Sequence, residues 1–431
     1  MHEIRPHDQA GHVATTAVEH THTIDPLPVA PYITRAPLLN PEGRIVGYEL
    51  GVRPHVPLPV LPGAHTRAQI EDEALLSAVI DLEYQQALGD KLTILALSSA
   101  SLASPLLSML QPVRTLLFVP DLLPLDGSAS NLTQRLQEGF GLVLDDAQGV
   151  ASMPPIPTRR YVRIDLRQHN AMSLGHSAVH ARQLGVQGLI ARHVDTWEMF
   201  EACRRLGFDL VQGEYYLHAP ASAGRQLQAG RVLIMDLLNL VMGHADFPVI
   251  EAKFKQDAAL SYKLLRYINS AAVGLRYPVK SIGQALVVLG HDQLYRWLTL
   301  LLFAHTEGDP RSRALLRHAV VRGRLTELLG EAHLPKAERG GLFIAGILSM
   351  LDSLLGLPLA QALDGLQLPP GVLDALLRDT GPYAPYLQLA RACEQFDQST
   401  IAALCDQAGL SAEAVNLAHV NALIWSEGLA D

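Results

Sequence analysis

A chain of 431 residues, 48% hydrophobic and 18% charged, is too long for one ordinary domain and apolar enough to bury a large core, so two or three domains are expected. Its formal net charge of −9 argues against general nucleic-acid affinity, which needs clustered Lys and Arg, but leaves room for a local basic pocket that holds a small anion. Cys203, Cys393 and Cys405 form no short-spaced pair, which excludes a disulfide framework and fits small buried residues in a reducing compartment.

Residues 1–30 are polar, rich in Thr and His, and lack apolar periodicity, as expected of a flexible tail. His2, His7, His12, His20 and His22 lie there at spacings that match no defined metal site. No positive-plus-apolar signal pattern opens the chain. The longest apolar runs, such as 297–304, fall far short of the ~20 residues of a membrane helix. A cytoplasmic protein without a membrane partner is expected.

From 31 to 217, short apolar runs alternate with amphipathic stretches. The runs at 92–97, 115–119, 141–144, 161–164, 188–191 and 209–211 are bounded by polar or turn residues, and their starts recur at roughly the 20–27 residues of a βα unit. Helices are expected between them. Leu102, Leu106, Leu107 and Leu110 space as one face, as do Trp197, Phe200, Cys203 and Arg204. With earlier strands near 32–38 and 45–52, the count approaches a closed eight-stranded barrel. A doubly wound sheet is disfavoured because no glycine-rich phosphate loop follows the first strand. Residues 218–227 read as a small-residue connector. From 228 to 431 the strand pattern gives way to helices, with faces such as Ile234, Leu237, Leu238 and Val241, then Leu260, Leu264, Leu265 and Ile268.

The segments Tyr48-Glu-Leu-Gly-Val-Arg53, Leu144-Asp-Asp146, Arg163-Ile-Asp165, Ala191-Arg-His-Val-Asp-Thr196 and Leu206-Gly-Phe-Asp-Leu-Val-Gln-Gly213 resemble, in order and spacing, the motifs of EAL domains. Those domains are two-metal phosphodiesterases that hydrolyse cyclic di-GMP on a modified TIM-type (β/α)8 barrel. The first motif most resembles the EAL half of tandem EAL–HDOD signalling proteins. The resemblance implies that Glu49, Arg53, Asp145, Asp146, Arg163, Asp165 and Gln212 occupy ligand-site positions. It also exposes departures. Ala96 and Phe118 stand where the family places a metal-binding asparagine and glutamate. Arg192 and Asp195 replace two glutamates, Arg163 replaces the lysine proposed to help activate water, and Ala36 replaces a glutamine that helps recognise guanine. Alanine and phenylalanine offer no lone pair, and arginine keeps its charge. The expectation is a chain without catalytic residues, metal or cofactor, in which Arg163 and Arg192 pair with Asp145, Asp146 and Asp165 in place of a cation.

The second half resembles HDOD domains, relatives of the HD metal phosphohydrolases. The resemblance is carried by Phe247-Pro248, Asp257-Ala-Ala-Leu260, Leu264-Leu-Arg-Tyr-Ile-Asn-Ser270, Leu289-Gly290 and the run from Phe343 to Pro358. It implies an all-helical HD-related domain in which Ser349 and Met350 take the place of the His-Asp pair, and neither suits a hard cation. The literal His291-Asp292 reads as a helix start, and His318 as a lone surface or groove histidine. Together these features point to a regulatory protein that acts through contact with other signalling proteins. Two alternatives stand beside that reading: a cyclic di-GMP receptor without hydrolysis, and an active cyclic di-GMP phosphodiesterase.

Overall fold

A computed structural model of the chain describes residues 32–53, 67–121, 128–145, 159–218, 229–270, 273, 277–303, 309–336, 338–394 and 401–427. The expected tail, most of the connector and Asp146 lie outside the described residues.

Eight strands close a barrel in chain order: β1 (Tyr32–Leu39), β2 (Ile45–Arg53), β3 (Leu92–Ala96), β4 (Thr115–Phe118), β5 (Gly141–Asp145), β6 (Arg160–Asp165), β7 (Gly188–Arg192) and β8 (Leu210–Gln212). Strands β2 to β8 are parallel, whereas β1 runs antiparallel to both β2 and β8. The cause is local. A short turn at 40–44, closed by Asn40 Oδ1 accepting from Arg44 N and by Gly43 at φ +73°, returns the chain at once, with no room for the helix that a parallel crossover needs. Helices α1 (Arg67–Asp81), α2 (Tyr84–Ala87), α3 (Ser128–Gln137), α4 (Ala171–Gln183) and α5 (Trp197–Arg205) lie between the later strands. The leucine face at 102–110 is not an α-helix. It lies across two short 3-10 turns, Ser99–Ala103 and Pro105–Met109, because Pro105 removes a backbone donor and restricts the residue before it.

Period-two alternation sends every second side chain into the barrel. Leu38, Ile94, Leu116, Val143, Ile190 and Leu210 form a dry plug. Two residues further along the parallel strands, the interior positions become Ala96, Phe118, Asp145, Arg192 and Gln212, with Arg163 two residues beyond Tyr161. The polar layer therefore sits at the C-terminal mouth, above an apolar floor.

The second half is helical: α6 (Ala229–Met242), α7 (Phe247–Phe254), α8 (Ala258–Ile268), α9 (Ile282–Phe303), α10 (Pro310–Gly330), α11 (Arg339–Leu348), α12 (Leu351–Leu355), α13 (Leu359–Ala362), α14 (Pro370–Leu377), α15 (Ala384–Glu394), α16 (Ile401–Ala408) and α17 (Ala412–Glu427). Asp257 and Asp309 cap α8 and α10 through their carboxylates. Gly290 breaks α9 at φ +69°, so His291-Asp292 does open a helical segment. Ser349–Met350 separates α11 from α12.

The two halves share a hydrophobic core. In an ordinary βα barrel each strand is covered by the helix that follows it. Strand β1, returned at once into β2, has none, and α15 and α17 pack against it instead. Asn416 Oδ1 accepts from Ile33 N at 2.9 Å, and Arg35 donates to His419 Nε2. Lys91 pairs with Glu427 at 3.0 Å.

Candidate functional site at the barrel mouth

Arg163 is the centre of the mouth. Its side chain is 3% exposed; Nε lies 2.7 Å from Asp145 Oδ1 and Nη1 lies 3.2 Å from Glu49 Oε1. Its guanidinium carbon stands 3.9 Å from the Phe118 ring centroid. Burial alone would lower the arginine pKa, but the two carboxylates outweigh it and hold the value above the ordinary one. Glu49 completes its own shell with Gln212, whose Nε2 donates to Oε2 at 2.7 Å. That donation fixes the amide orientation, because only its NH₂ end can face a carboxylate. Gln212 Oε1 is left buried, with no hydrogen-bond partner among the described residues.

Asp165 does not join Arg163. It accepts from Arg167 N, Nε and Nη2, and from His193 Nδ1 at 2.9 Å. Burial would raise its pKa, but Arg167 and His193 hold it well below the usual carboxylate range. Arg192 makes no ion pair among the described residues; its backbone lies in register between Asp165 and Gln212. The expected pairing of two arginines with three aspartates is therefore corrected. Arg163 binds Asp145 and Glu49, Asp165 turns to Arg167 and His193, and Asp146 lies outside the described residues. Inter-strand register explains the difference. Asp145 lies directly beside Arg163 in the β5–β6 register, whereas Asp165 is one layer higher, opposite Arg192. Arg53 ends β2, and its side chain is outside the described residues. His193, which the sequence pattern did not single out, belongs to the mouth; the signal was a histidine directly after a strand-end arginine.

The donor set does not fit the two divalent cations that the EAL resemblance implies. Glu49 and Asp145 are already engaged by a fixed cation, Ala96 and Phe118 supply no donor, and no group of three metal-binding side chains occurs among the described residues. A guanidinium stacked on Phe118 supplies positive charge there.

A second polar cluster lies in the helical half. Glu394 accepts from Arg322 at 2.6 Å and pairs with His318 Nε2 at 2.9 Å, while Arg322 Nη1 donates to Ser349 Oγ at 2.9 Å. Burial works against the Glu394 charge, yet Arg322 and His318 hold its carboxyl well below the usual range. His318 is thus no lone surface histidine. Its Nδ1 also meets the Tyr216 hydroxyl at 3.1 Å, and Tyr216 lies four residues past Gln212, so the segment after β8 ties the mouth to this cluster.

Residues 233–362 match the HDOD domain family model, so the helical half contains an HDOD domain. Among curated proteins, the cyclic di-GMP phosphodiesterase CdgJ of Vibrio cholerae serotype O1 is 27% identical over 412 residues, covering 92% of this chain and 93% of that protein. YuxH of Bacillus subtilis, an uncharacterised protein, is 22% identical over 93% of this chain and 99% of its own length. Solved structures that match include the MucR phosphodiesterase in complex with c-di-GMP, 20% identical with a TM-score of 0.35 over 43% of this chain and 89% of that one. An EAL domain protein of Listeria monocytogenes is 16% identical with a TM-score of 0.35 over 43% of this chain and 87% of that one.

The similarity to CdgJ overturns the expectation that this chain is not an enzyme. That expectation came from Ala96, Phe118 and Arg192, and lost ligands at individual positions speak only for those positions. Among the described residues no helix is long and apolar enough to cross a membrane.

Proposed function

We propose that the chain is a cyclic di-GMP signalling protein. In this reading an EAL-type barrel recognises the dinucleotide at its mouth, and the HDOD-containing half passes the occupied state to another signalling protein. Glu49, Arg53, Asp145, Asp146, Arg163, Asp165 and Gln212 are assigned to the ligand site. The observation that carries the reading is the buried polar layer at the C-terminal mouth, set in a chain that aligns over 92% of its length with a relative named a cyclic di-GMP phosphodiesterase. Barrel ligands bind at that end because the strand-end side chains and the βα loops converge there. The link from Tyr216 to His318 supports transmission to the helical half.

Calorimetric titration of the full chain with cyclic di-GMP, with and without Mg²⁺, tests the proposal. Chromatography of the same mixtures follows any linear product. Saturable binding is the expected result, and absence of binding under both conditions overturns the reading. Product that forms with Mg²⁺ and disappears in Glu49→Ala would identify the mouth as the place of turnover.

A further inference from the structure

His193 combines three features that the ligand-site assignment leaves unused. Its backbone is left-handed, at φ +57°, a region where a residue with a Cβ is strained and glycine is not. Its Nδ1 is held by Asp165 at 2.9 Å. Its ring is half-buried at the mouth, 26% exposed.

The left-handed turn is imposed by the backbone around it. Val194 N donates to Gln212 O and Tyr215 N donates to Val194 O, both at 3.0 Å. Gly213 packs so tightly there that a Cβ would stand 2.3 Å from Val194 O. A glycine at 193 would satisfy this turn without strain, so the histidine needs another reason to be there. Neutralising Asp165 is not that reason, because Arg167 already gives it three hydrogen bonds. Strained positions of this kind collect at ligand-contacting sites.

Facing a carboxylate, Nδ1 carries the proton, which leaves Nε2 as the free ring nitrogen. Nε2 has no hydrogen-bond partner among the described residues. Beside it on the chain is Arg192, without an ion pair among the described residues, and on the next strand is Gln212, whose Oε1 has no partner among them. We propose that His193 is a ligand-contacting residue, aligned by Asp165, whose Nε2 accepts a hydrogen bond from an N–H or O–H donor of the cyclic dinucleotide. This rests on the reading of the mouth as a cyclic di-GMP site.

The test uses the full chain, with cyclic di-GMP as the probe, in three forms: wild type, His193→Gly and His193→Gln. Calorimetry gives affinity, and thermal unfolding gives stability. The expected pattern is opposite in sign for the glycine variant. Affinity falls about threefold to tenfold, the scale of one lost neutral hydrogen bond. The melting temperature stays level or rises, because glycine relieves the turn. His193→Gln, which keeps a polar side chain but not the ring nitrogen, should also lose affinity while remaining folded by circular dichroism. Wild-type binding with both variants within twofold of it overturns the proposal and leaves the cyclic di-GMP reading intact. A glycine variant that melts well below wild type makes His193 a structural residue and overturns it equally. No binding by wild type removes the reading of the mouth and this proposal together.

Discussion

Arg163 carries a charge into a place where only its partners make that charge tolerable. Removing it strands Glu49, which is 4% exposed, with Gln212 as its remaining donor. Arg163→Met should therefore cost about 3–5 kcal/mol in urea unfolding, the usual penalty for breaking a buried ion pair. Adding Glu49→Gln to that variant should recover much of the loss, because the uncompensated charge is then gone. A single-variant loss under about 1 kcal/mol, the range of exposed pairs, would show that the mouth is better hydrated than its packing implies. His419 gives a pH signature. Burial, with Arg35 beside it, holds the imidazole well below its ordinary value. Below about pH 6.5 the unfolded chain binds a proton there that the folded chain refuses. Stability must then fall as pH drops from 7 toward 5, with this residue contributing up to about 1.4 kcal/mol per unit. The difference between wild type and His419→Gln, followed by urea midpoint against pH, should show that slope; equal slopes would sink the assignment.

At the scale of elements, α10 and α11 cross closely, backbone against backbone. A Cβ on Gly346 would stand 2.6 Å from Gly323 Cα and 2.9 Å from Arg322 O. Both contacts are backbone, which cannot swing aside. Gly346→Ala should destabilise the chain by about 1–3 kcal/mol through overpacking, despite the better helix propensity of alanine. The same crossing positions Arg322 against Ser349, so thermal unfolding of this variant should show a lower midpoint; an unchanged one would mean that the helices can slide apart freely. Strand β1 shows the converse case, an element left without a barrel helix and completed by α15 and α17.

For the whole molecule, the shared core decides how the halves behave when separated. A fragment of residues 228–431 would expose the faces of α15 and α17 that pack against β1. It should unfold at a lower temperature than the full chain and with reduced cooperativity. A fragment that melts with the full chain would show that the interface contributes little. Tyr216→Phe tests the narrower link. Loss of its hydroxyl removes one hydrogen bond, worth about 1 kcal/mol, and frees His318 from the segment after β8. Under the proposed function this variant should bind cyclic di-GMP with near wild-type affinity while its capture of a partner no longer responds to the dinucleotide. An unchanged response would move the coupling to another contact.

The short apolar runs from residue 92 onward specified the parallel strands, because their length, their polar bounds and a βα spacing are local properties that survive without tertiary context. The helix start at His291-Asp292 was legible for the same reason, and Gly290 breaks the helix directly before it. Glu49, Asp145, Arg163, Asp165 and Gln212 were also legible one by one from the motifs, whereas His193 was not. Their partners were not. Which carboxylate meets Arg163 depends on inter-strand register, and that places Asp145 beside it and lifts Asp165 to Arg167 and His193. The strained turn at His193 depends on the tight crossing at Gly213. His318 reads as solitary along the chain, because Tyr216 and Glu394 lie on either side of it at long sequence separations. Those contacts arise only when the barrel and the helices close on a common core, so they belong to the tertiary structure.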